Sequence, residues 1–566
     1  MTEVKETKAQ KVERLKREKL AWDHLEEIRA FAKSGHSSIP PEWLGTYFRS
    51  WGIYTQGDGV GVVGGTGGEG KATQYFMVRI RIPNGLLTSR QVRDIAALSE
   101  DYGRGVADVT VRQNVQLHWV TIEQIPDLIQ RLWDTGLTTI GACGDVARNV
   151  TGCPLAGITS HEIVDASPIA LAINRELGGN RDFYNLPRKF KMTVTGCESW
   201  CTYPEINDVA FTATRRNRNG QSETGFSLRI GGGLSTEPFL AVKLNAFIPW
   251  DKAVAVARGV AEVFRASEVL RQSRDKARLK YLFLQHGWTA DSFLDELHKH
   301  LDFRLDPAEP EEIPSDVHRD HTGVLPQKQS GLYSVGASVL RGRITPKQLR
   351  AVAELADQYA GGHVRTTAQQ NLIIVNVPEK NVAPLSNALT LNGLPVRTSA
   401  FALGTVACTG SEFCKLALTE TKQFGRWLSE ELDDRLPGFD EQIKLHITGC
   451  PNSCGQHWIA DIGIEGKKIK SDGKMVDAYY FCVGGSVGAL ASIARPVGYR
   501  CAATDVPDAI ERLLRGFLDD KQPTEDLRQY LARHSNEELR ALLAGDVIAA
   551  VERDISAATV PPGVEA

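Results

Sequence analysis

The chain repeats itself, and the repeat limits its fold more than any other feature. Thr88 and the run Thr110-Val111-Arg112-Gln113-Asn114-Val115 return as Thr345 and Thr367-Ala368-Gln369-Gln370-Asn371-Leu372. Both offsets are 257 (345 − 88 and 367 − 110). Each copy opens on strand-like sequence, Tyr75 to Ile82 and Gly331 to Leu340. A helical apolar period follows, Ser89 to Tyr102 and Pro346 to Tyr359, then a second strand and a second helix, which predicts a βαβ-type unit in each half. A second repeat runs from Lys191 through Cys197 and Cys201 to Asp208, and again from Lys444 through Cys450 and Cys454 to Asp461. Its offset is 253 at both ends (444 − 191 and 461 − 208), and each copy reads as an apolar strand entering a tight Gly-Cys turn. The predicted fold class is therefore α+β (mixed α/β) and internally duplicated. Each half is a small unit followed by a larger one, packed about a pseudo-twofold axis. Clefts between such halves are common cofactor sites.

Composition narrows the function classes. With 42% hydrophobic and 24% charged residues over 566 positions, the chain reads as an ordinary globular enzyme. A net charge of −3 gives no reason to expect a nucleic-acid or membrane-surface partner. No apolar run reaches the roughly 18 residues of a membrane span. The first 20 residues are Lys/Glu-rich without an apolar stretch, so a cytoplasmic chain is expected. Residues from about 3 to 33 predict a charged amphipathic helix with a solvated face, Lys5, Lys8, Lys11, Arg14, Lys16, Arg17 and Lys19 alternating with Glu3, Glu6, Glu13 and Glu18. The glycine-dense stretch Gly57 to Gly70 matches the dinucleotide fingerprint letter by letter, but no helix follows it, so a flexible loop is expected.

The ten cysteines of a cytosolic chain point to metal or catalysis before disulfides. Cys408-x5-Cys414 followed by Cys450-x3-Cys454 offers four thiolates in two close pairs, as a [4Fe–4S] cluster requires. Structural zinc prefers gaps of about two to four residues, which the first pair fits poorly. Small and turn residues around them (Thr409, Gly410 and Ser411; Gly449, Pro451, Asn452 and Ser453) let backbone N–H groups approach sulfur. The first half keeps Cys197-x3-Cys201, but its other cysteines, Cys143 and Cys153, lie nine residues apart. Either these form a second cluster or they are relics of the duplication packed as small apolar groups; the relic is the expectation here. Cys482 and Cys501 belong to no motif and are expected in the core.

The four-cysteine pattern in a duplicated chain resembles the sirohaem-dependent nitrite and sulfite reductase family. The resemblance covers about residues 45 to 520 and includes Tyr75-Phe-Met-Val-Arg79, Thr110-Val-Arg112-Gln-Asn-Val-Gln116, Gly144-Asp-Val-Ala-Arg148-Asn149 and Leu186-Pro-Arg188-Lys189-Phe-Lys191. It implies two ferredoxin-like half-domains (71–138 and 326–402) and two sirohaem/[4Fe–4S]-type α/β domains (139–325 and 403–566) after an N-terminal segment, 1–70. It also implies a cluster on Cys408, Cys414, Cys450 and Cys454, with Cys454 shared with the sirohaem iron. The reaction implied is the six-electron reduction of sulfite to sulfide or of nitrite to ammonia. A macrocycle rimmed with carboxylates and an oxyanion substrate both need fixed cations. Arg79, Arg148, Lys189 and Lys191 resemble the substrate-side set. Arg112, Gln116, His118, Asn149 and Arg188 resemble sirohaem contacts, and Arg274, Arg278 and Lys280 are weaker carboxylate-binding candidates.

Two lysines around Phe190 favour sulfite, since two ammonium groups suit the more highly charged anion, whereas plant-type nitrite reductases carry Asn at the second position. Tyr54 and Cys143 resemble a pair that forms a covalent crosslink beside the active site in some sulfite reductases. No flavin or nicotinamide domain is recognisable, so electrons must come from a partner protein. The resemblance implies ferredoxin, with a separate flavoprotein subunit as the alternative, and a monomer. A cluster-bearing electron carrier or redox sensor is the competing class; it explains the four cysteines but not Arg79, Arg148, Lys189 and Lys191.

Overall fold

The computed structural model describes residues 6–57, 73–218, 220–310, 313–314, 321–471 and 473–546. All but Gly57 of the glycine-dense stretch that predicts a loop lies outside the described residues. The rest resolves into four five-stranded sheets, two per half.

The first sheet orders Ile53–Thr55, Phe76–Ile80, Val115–Val120 and Ala107–Val109, all neighbours antiparallel. Its counterpart orders Gly323–Pro326, Leu332–Ala337, Leu372–Pro378 and His363–Thr366 in the same way. The predicted βαβ unit is thus split: the strands flanking helices Ser89–Asp101 and Pro346–Ala360 are separated by a third strand antiparallel to both. Each sheet is completed by the other half. Arg343–Ile344 pairs with Ala107–Val109 in the first, and Leu86–Thr88 pairs with His363–Thr366 in the second. Chains this close leave no room for side chains at the turn. A Cβ on Gly85 would stand 2.4 Å from the Thr366 carbonyl, and one on Gly342 equally close to that of Val109; both glycines have positive φ. The repeated threonines are caps. Thr88 with Gln91, and Thr345 with Gln348, form capping boxes at the starts of the two helices. The exchange merges the two units into a single core. Ile28, Phe48, Phe76, Val78, Ile95 and Leu117 pack in one cluster with Val335, Leu349, Val352 and Leu385.

The larger units have separate cores. In the first, Ala147–Gly152, Phe190–Thr195 and Val209–Arg218 run parallel, followed by antiparallel Gln221–Ile230 and Val242–Pro249. In the second, Thr405–Ala407, Leu445–Thr448 and Ile462–Ser471 repeat this, with Lys474–Val483 and Arg495–Ala502. Both cysteine turns leave the carboxyl end of a parallel strand, where loops of such sheets gather ligands.

The N-terminal segment departs from the single solvated helix that its charge pattern predicts. Helix Lys8–Glu18 ends before a short turn, and Leu25–Ser34 forms a second helix. Glu13 and Lys16 are buried: Lys16 donates to the Leu186 carbonyl at 2.8 Å, and Glu13 receives Arg271 at 2.6 Å. Charge periodicity alone does not reveal a face that docks by ion pairs. Among the described residues no helix is long and apolar enough to cross a membrane.

Candidate functional site

Two glutamines hold the cysteine loops to the half-domains. Gln370, at φ +65°, donates from its carboxamide to the carbonyls of Val109 and Ala407 and accepts from the Ala407 N–H. Gln113, at φ +59°, does the same with Thr366 and Gly152. Each therefore fixes the residue before the first cysteine of a loop, Cys408 or Cys153, and ties it to the opposite half. The following asparagines cap strands: Asn114 Oδ1 accepts from Ile82 N, and Asn371 Oδ1 from Val339 N. The repeated Gln-Asn pair is thus a structural stitch, and only the preceding position, Arg112 or Gln369, differs in chemistry.

The second-half loop brings Cys408, Cys414, Cys450 and Cys454 within electrostatic reach of one another. Gly449 N–H donates to Cys408 Sγ at 3.2 Å, the backbone approach that the small residues predicted, and the side-chain amide of Asn452 donates to Cys450 Sγ at 3.5 Å. Burial, then the neighbouring Cys454, pushes the Cys414 thiol up to about 12. Such a group becomes a thiolate ligand only with a metal beside it. Cys408 and Cys414 are half-buried, Cys450 is buried and Cys454 is exposed.

Facing Cys454 is a set of cations from the first half. Lys189 and Lys191 flank Phe190, whose ring is buried on Phe264, so the two lysines share the opposite strand face. Burial, then Arg278, Arg188 and Arg148, lowers Lys189 to about 7, opposed by neighbouring Cys454. Burial, then Lys189 and Arg278, brings Lys191 well below its ordinary value. Arg112 falls to about 9 through burial and then Arg148. Its amino groups donate to Asn207 Oδ1 at 2.8 Å and to the carbonyls of Asn149 and Met192, while its Nε is buried with no partner among the described residues. Arg79 grips Gln116 Oε1 (3.0 and 2.6 Å) and reaches Cys143 Sγ at 2.9 Å. Gln116 in turn donates to Thr409 Oγ1 beside the cluster cysteines. Arg148 lies over the same loop, on the Gly144 and Ala142 carbonyls. Crowded cations, an orphaned guanidinium nitrogen and one exposed thiol fit a polyanionic macrocycle seated at Cys454 beside a four-iron cube.

Several predicted residues lie elsewhere. His118 is fully buried, stacked on Phe413 at 3.9 Å and hydrogen-bonded to Asp108, so it supports the cluster loop and presents no surface to a macrocycle. Asn149 is also fully buried and holds the Ile82 and Arg112 carbonyls. Arg278 forms a buried ion pair with Asp208 at 2.9 Å, Arg274 pairs with Asp145 at 2.6 Å, and Lys280 donates to the Leu234 carbonyl at 3.0 Å. These three are occupied by the protein and do not stand free as carboxylate binders. Arg188 is half-buried near Asp145. Cys143 is buried, and its loop packs on the Tyr54 segment: Gly141 N–H donates to the Ser50 carbonyl and Gly52 accepts from Arg79 N–H. Cys482 and Cys501 are core residues, as expected. The nodes that no motif announced are Asp108 and Phe413; Asp145 sat inside Gly144-Asp-Val-Ala-Arg148-Asn149 with no role assigned to it. Asp208 was visible as the retained end of the second repeat.

The fold and site define a duplicated redox enzyme built round an iron–sulfur cluster. The description "Nitrite and sulphite reductase 4Fe-4S domain" matches residues 143–305 and 399–547, and "Nitrite/Sulfite reductase ferredoxin-like half domain" matches 69–133 and 325–392. The chain is 36% identical to an assimilatory ferredoxin-dependent nitrite reductase of Haloferax mediterranei, covering 89% of this chain and 88% of that one. It is also 36% identical to a ferredoxin sulfite reductase of Mycolicibacterium paratuberculosis, covering 91% and 92%. The structure of the NirA protein of Mycobacterium tuberculosis superposes with a TM-score of 0.87 at 35% identity, covering 94% of this chain and 97% of that one. The chain belongs to the sirohaem-dependent nitrite and sulfite reductase family, and its cofactors are a sirohaem and a [4Fe–4S] cluster.

Proposed function

We propose that the chain reduces sulfite to sulfide in the cytoplasm, with ferredoxin as electron donor. Relatives at equal identity are named for each anion, so likeness to them does not choose between the two. The observation that carries the choice is the pair Lys189 and Lys191 on one strand face, among Arg112 and Arg148 and opposite Cys454. Burial among other cations lowers both lysines, so an anion that restores their protons gains most from them, and two ammonium groups neutralise sulfite more fully than singly charged nitrite. In this reading Cys408, Cys414, Cys450 and Cys454 would hold the cluster, and Cys454, the exposed one, would also hold the sirohaem. When bound, the two groups would supply the electron-transfer chemistry of the reduction.

The protein's residues bind, orient and protonate. Arg112 and Arg188 offer guanidinium groups to the carboxylate rim. Arg148, Lys189 and Lys191 clamp the oxyanion, and the lysine Nζ–H groups donate protons to departing oxygens. Arg79, locked on Gln116, completes the clamp and lies on Cys143. A Tyr54–Cys143 crosslink would set that wall, and peptide mass spectrometry of active enzyme should show the mass lost when the bond forms. Exposed Leu416, two residues past Cys414, marks where a donor would approach the cluster. The test is anaerobic steady-state kinetics with reduced ferredoxin. The reading expects the higher kcat/KM for sulfite, and a strong nitrite preference would overturn it.

A further inference from the structure

The first half holds a second metal-ligand set that the reductase chemistry does not use. Gly152 pairs with Val194 as Ala407 pairs with Ile447, so Cys153 is the structural counterpart of Cys408. Cys197 and Cys201 are the counterparts of Cys450 and Cys454 by the 253-residue offset. The turn is the same: Trp200 and Ser453, one residue before the last cysteine, have φ of 48° and 54°, and Tyr203 and Gln456 have 53° and 63°. The gap between Cys143 and Cys153 is therefore no relic of the Cys408–Cys414 pair. Three of four thiols survive, and only the counterpart of Cys414 is missing.

A histidine stands beside the three thiols. Cys153 Sγ, Cys201 Sγ and a ring nitrogen of His321 all lie within 4.8 Å of one another. Cys197 Sγ hydrogen-bonds with both other sulfurs and stands within electrostatic reach of His321. The duplication explains how His321 arrives. Arg79 of the active site corresponds to Gly336 at the 257-residue offset, and a Cβ on Gly336 would stand 2.1 Å from the His321 carbonyl. The missing side chain admits the backbone that delivers the imidazole. Ile373, counterpart of Gln116, packs on the three cysteines with Leu155, Ala156, Ile158 and Val375.

We propose that Cys153, Cys197, Cys201 and His321 bind one zinc ion in a closed structural site. Ligands about 2.0–2.3 Å from one ion lie within about 4.6 Å of each other, so donor atoms already gathered within 4.8 Å need only small side-chain shifts to close on one ion. A cubane, whose irons occupy separate corners, holds its thiolates farther apart. Three thiolates and one neutral imidazole leave the complex with a single negative charge. Arg365 supplies the balancing cation: it lies within electrostatic reach of Cys153 and clamps the following loop through the Pro154 and Ala156 carbonyls at 2.7 and 2.8 Å. An apolar wall and a closed ligand set suit a structural ion with no open position.

The test is elemental analysis of holoenzyme purified without chelators from zinc-containing medium. About one zinc per chain is expected beside the cluster and haem iron, with zinc-edge X-ray absorption giving three sulfurs at about 2.3 Å and one nitrogen at about 2.0–2.1 Å. His321→Ala and Cys201→Ser should each lose the zinc while keeping tetrapyrrole and labile sulfide. Wild-type protein with less than a tenth of a zinc per chain overturns the proposal, as does zinc retained unchanged in both variants. A Cys153–Cys197 disulfide in wild-type enzyme also overturns it. The wild-type measurement decides even where a variant fails to fold.

Discussion

The site at Cys454 and its counterpart at Cys201 share a backbone and end in opposite states. In one, the thiol is exposed and faces Arg79, Arg112, Arg148, Lys189 and Lys191. In the other, Cys201 is buried, Gly336 stands for Arg79, Ile373 for Gln116, and Gln369 for Arg112. Gln369 donates to the Cys201 carbonyl and the Tyr203 hydroxyl, so its amide is spent inside the protein. The lysine positions divide in the same way. Lys191 and Lys444 each offer a backbone N–H to an aspartate, Asp208 at 2.8 Å and Asp461 at 2.6 Å, but Lys444 is buried. Duplication makes two equal clefts. Side chains then open one to a polyanion and close the other.

That comparison can be broken most forcefully at the strand exchange. Asp108 corresponds to Arg365 at the 257-residue offset. Burial alone would raise the Asp108 carboxyl, but Lys422, the hydrogen bond from His118, and Arg343 hold it far below the usual range. Asp108→Asn should cost about 3–5 kcal/mol, because it strands buried cations from the other half. Since the folded-state value is depressed, the stabilisation is complete above about pH 4 and is lost as pH falls below it. The Tm gap between wild type and Asp108→Asn should accordingly shrink in acid. Arg365→Gln should cost less, because its hydrogen bonds go to the Pro154 and Ala156 carbonyls and the charge it balances, at Cys153, is within electrostatic reach but not paired with it directly.

At the lysines, Lys191→Asn should lower sulfite kcat/KM by about 100–1,000-fold, the scale of losing one oxyanion donor. Nitrite kcat/KM should fall less; equal losses would show that this lysine does not select the anion. Lys444→Gln should change the sulfite-to-nitrite ratio little and reduce stability by about 1–3 kcal/mol. At the stitches the stability losses should match in the two halves. Gln113→Leu and Gln370→Leu should each cost about 1–3 kcal/mol by unpairing buried backbone groups, with cluster loss confined to Gln370→Leu. Guanidinium melts and labile-sulfide assays read the two apart.

The duplication and the four-cysteine pattern were legible in the sequence because offsets and spacings survive in one dimension. Lys189 and Lys191 were legible only through the family resemblance; that they share one strand face is what the structure adds. The strand exchange was not, since Leu86–Thr88 and Arg343–Ile344 carry no sign of which sheet they join. His118 and Asn149 match the family pattern, yet the fold turns them inward on Phe413, Asp108 and the Arg112 carbonyl. His321 was invisible, because a ligand separated from Cys201 by more than a hundred residues has no spacing to read. The buried face of the N-terminal helix was missed for a different reason: Glu13 and Lys16 dock through charge, and charge reads as solvent exposure.

The division of labour between the two sites is tested most directly by comparing Cys454→Ser and Cys201→Ser in visible spectra and labile-sulfide content. Outer partners of metal ligands already govern about 10–100-fold in affinity or activity, so loss of Cys454 itself should remove the sirohaem spectrum, the cluster and turnover. Cys201→Ser should keep all three. Retention of sirohaem and cluster in Cys454→Ser, or their loss only in Cys201→Ser, would contradict the assignment.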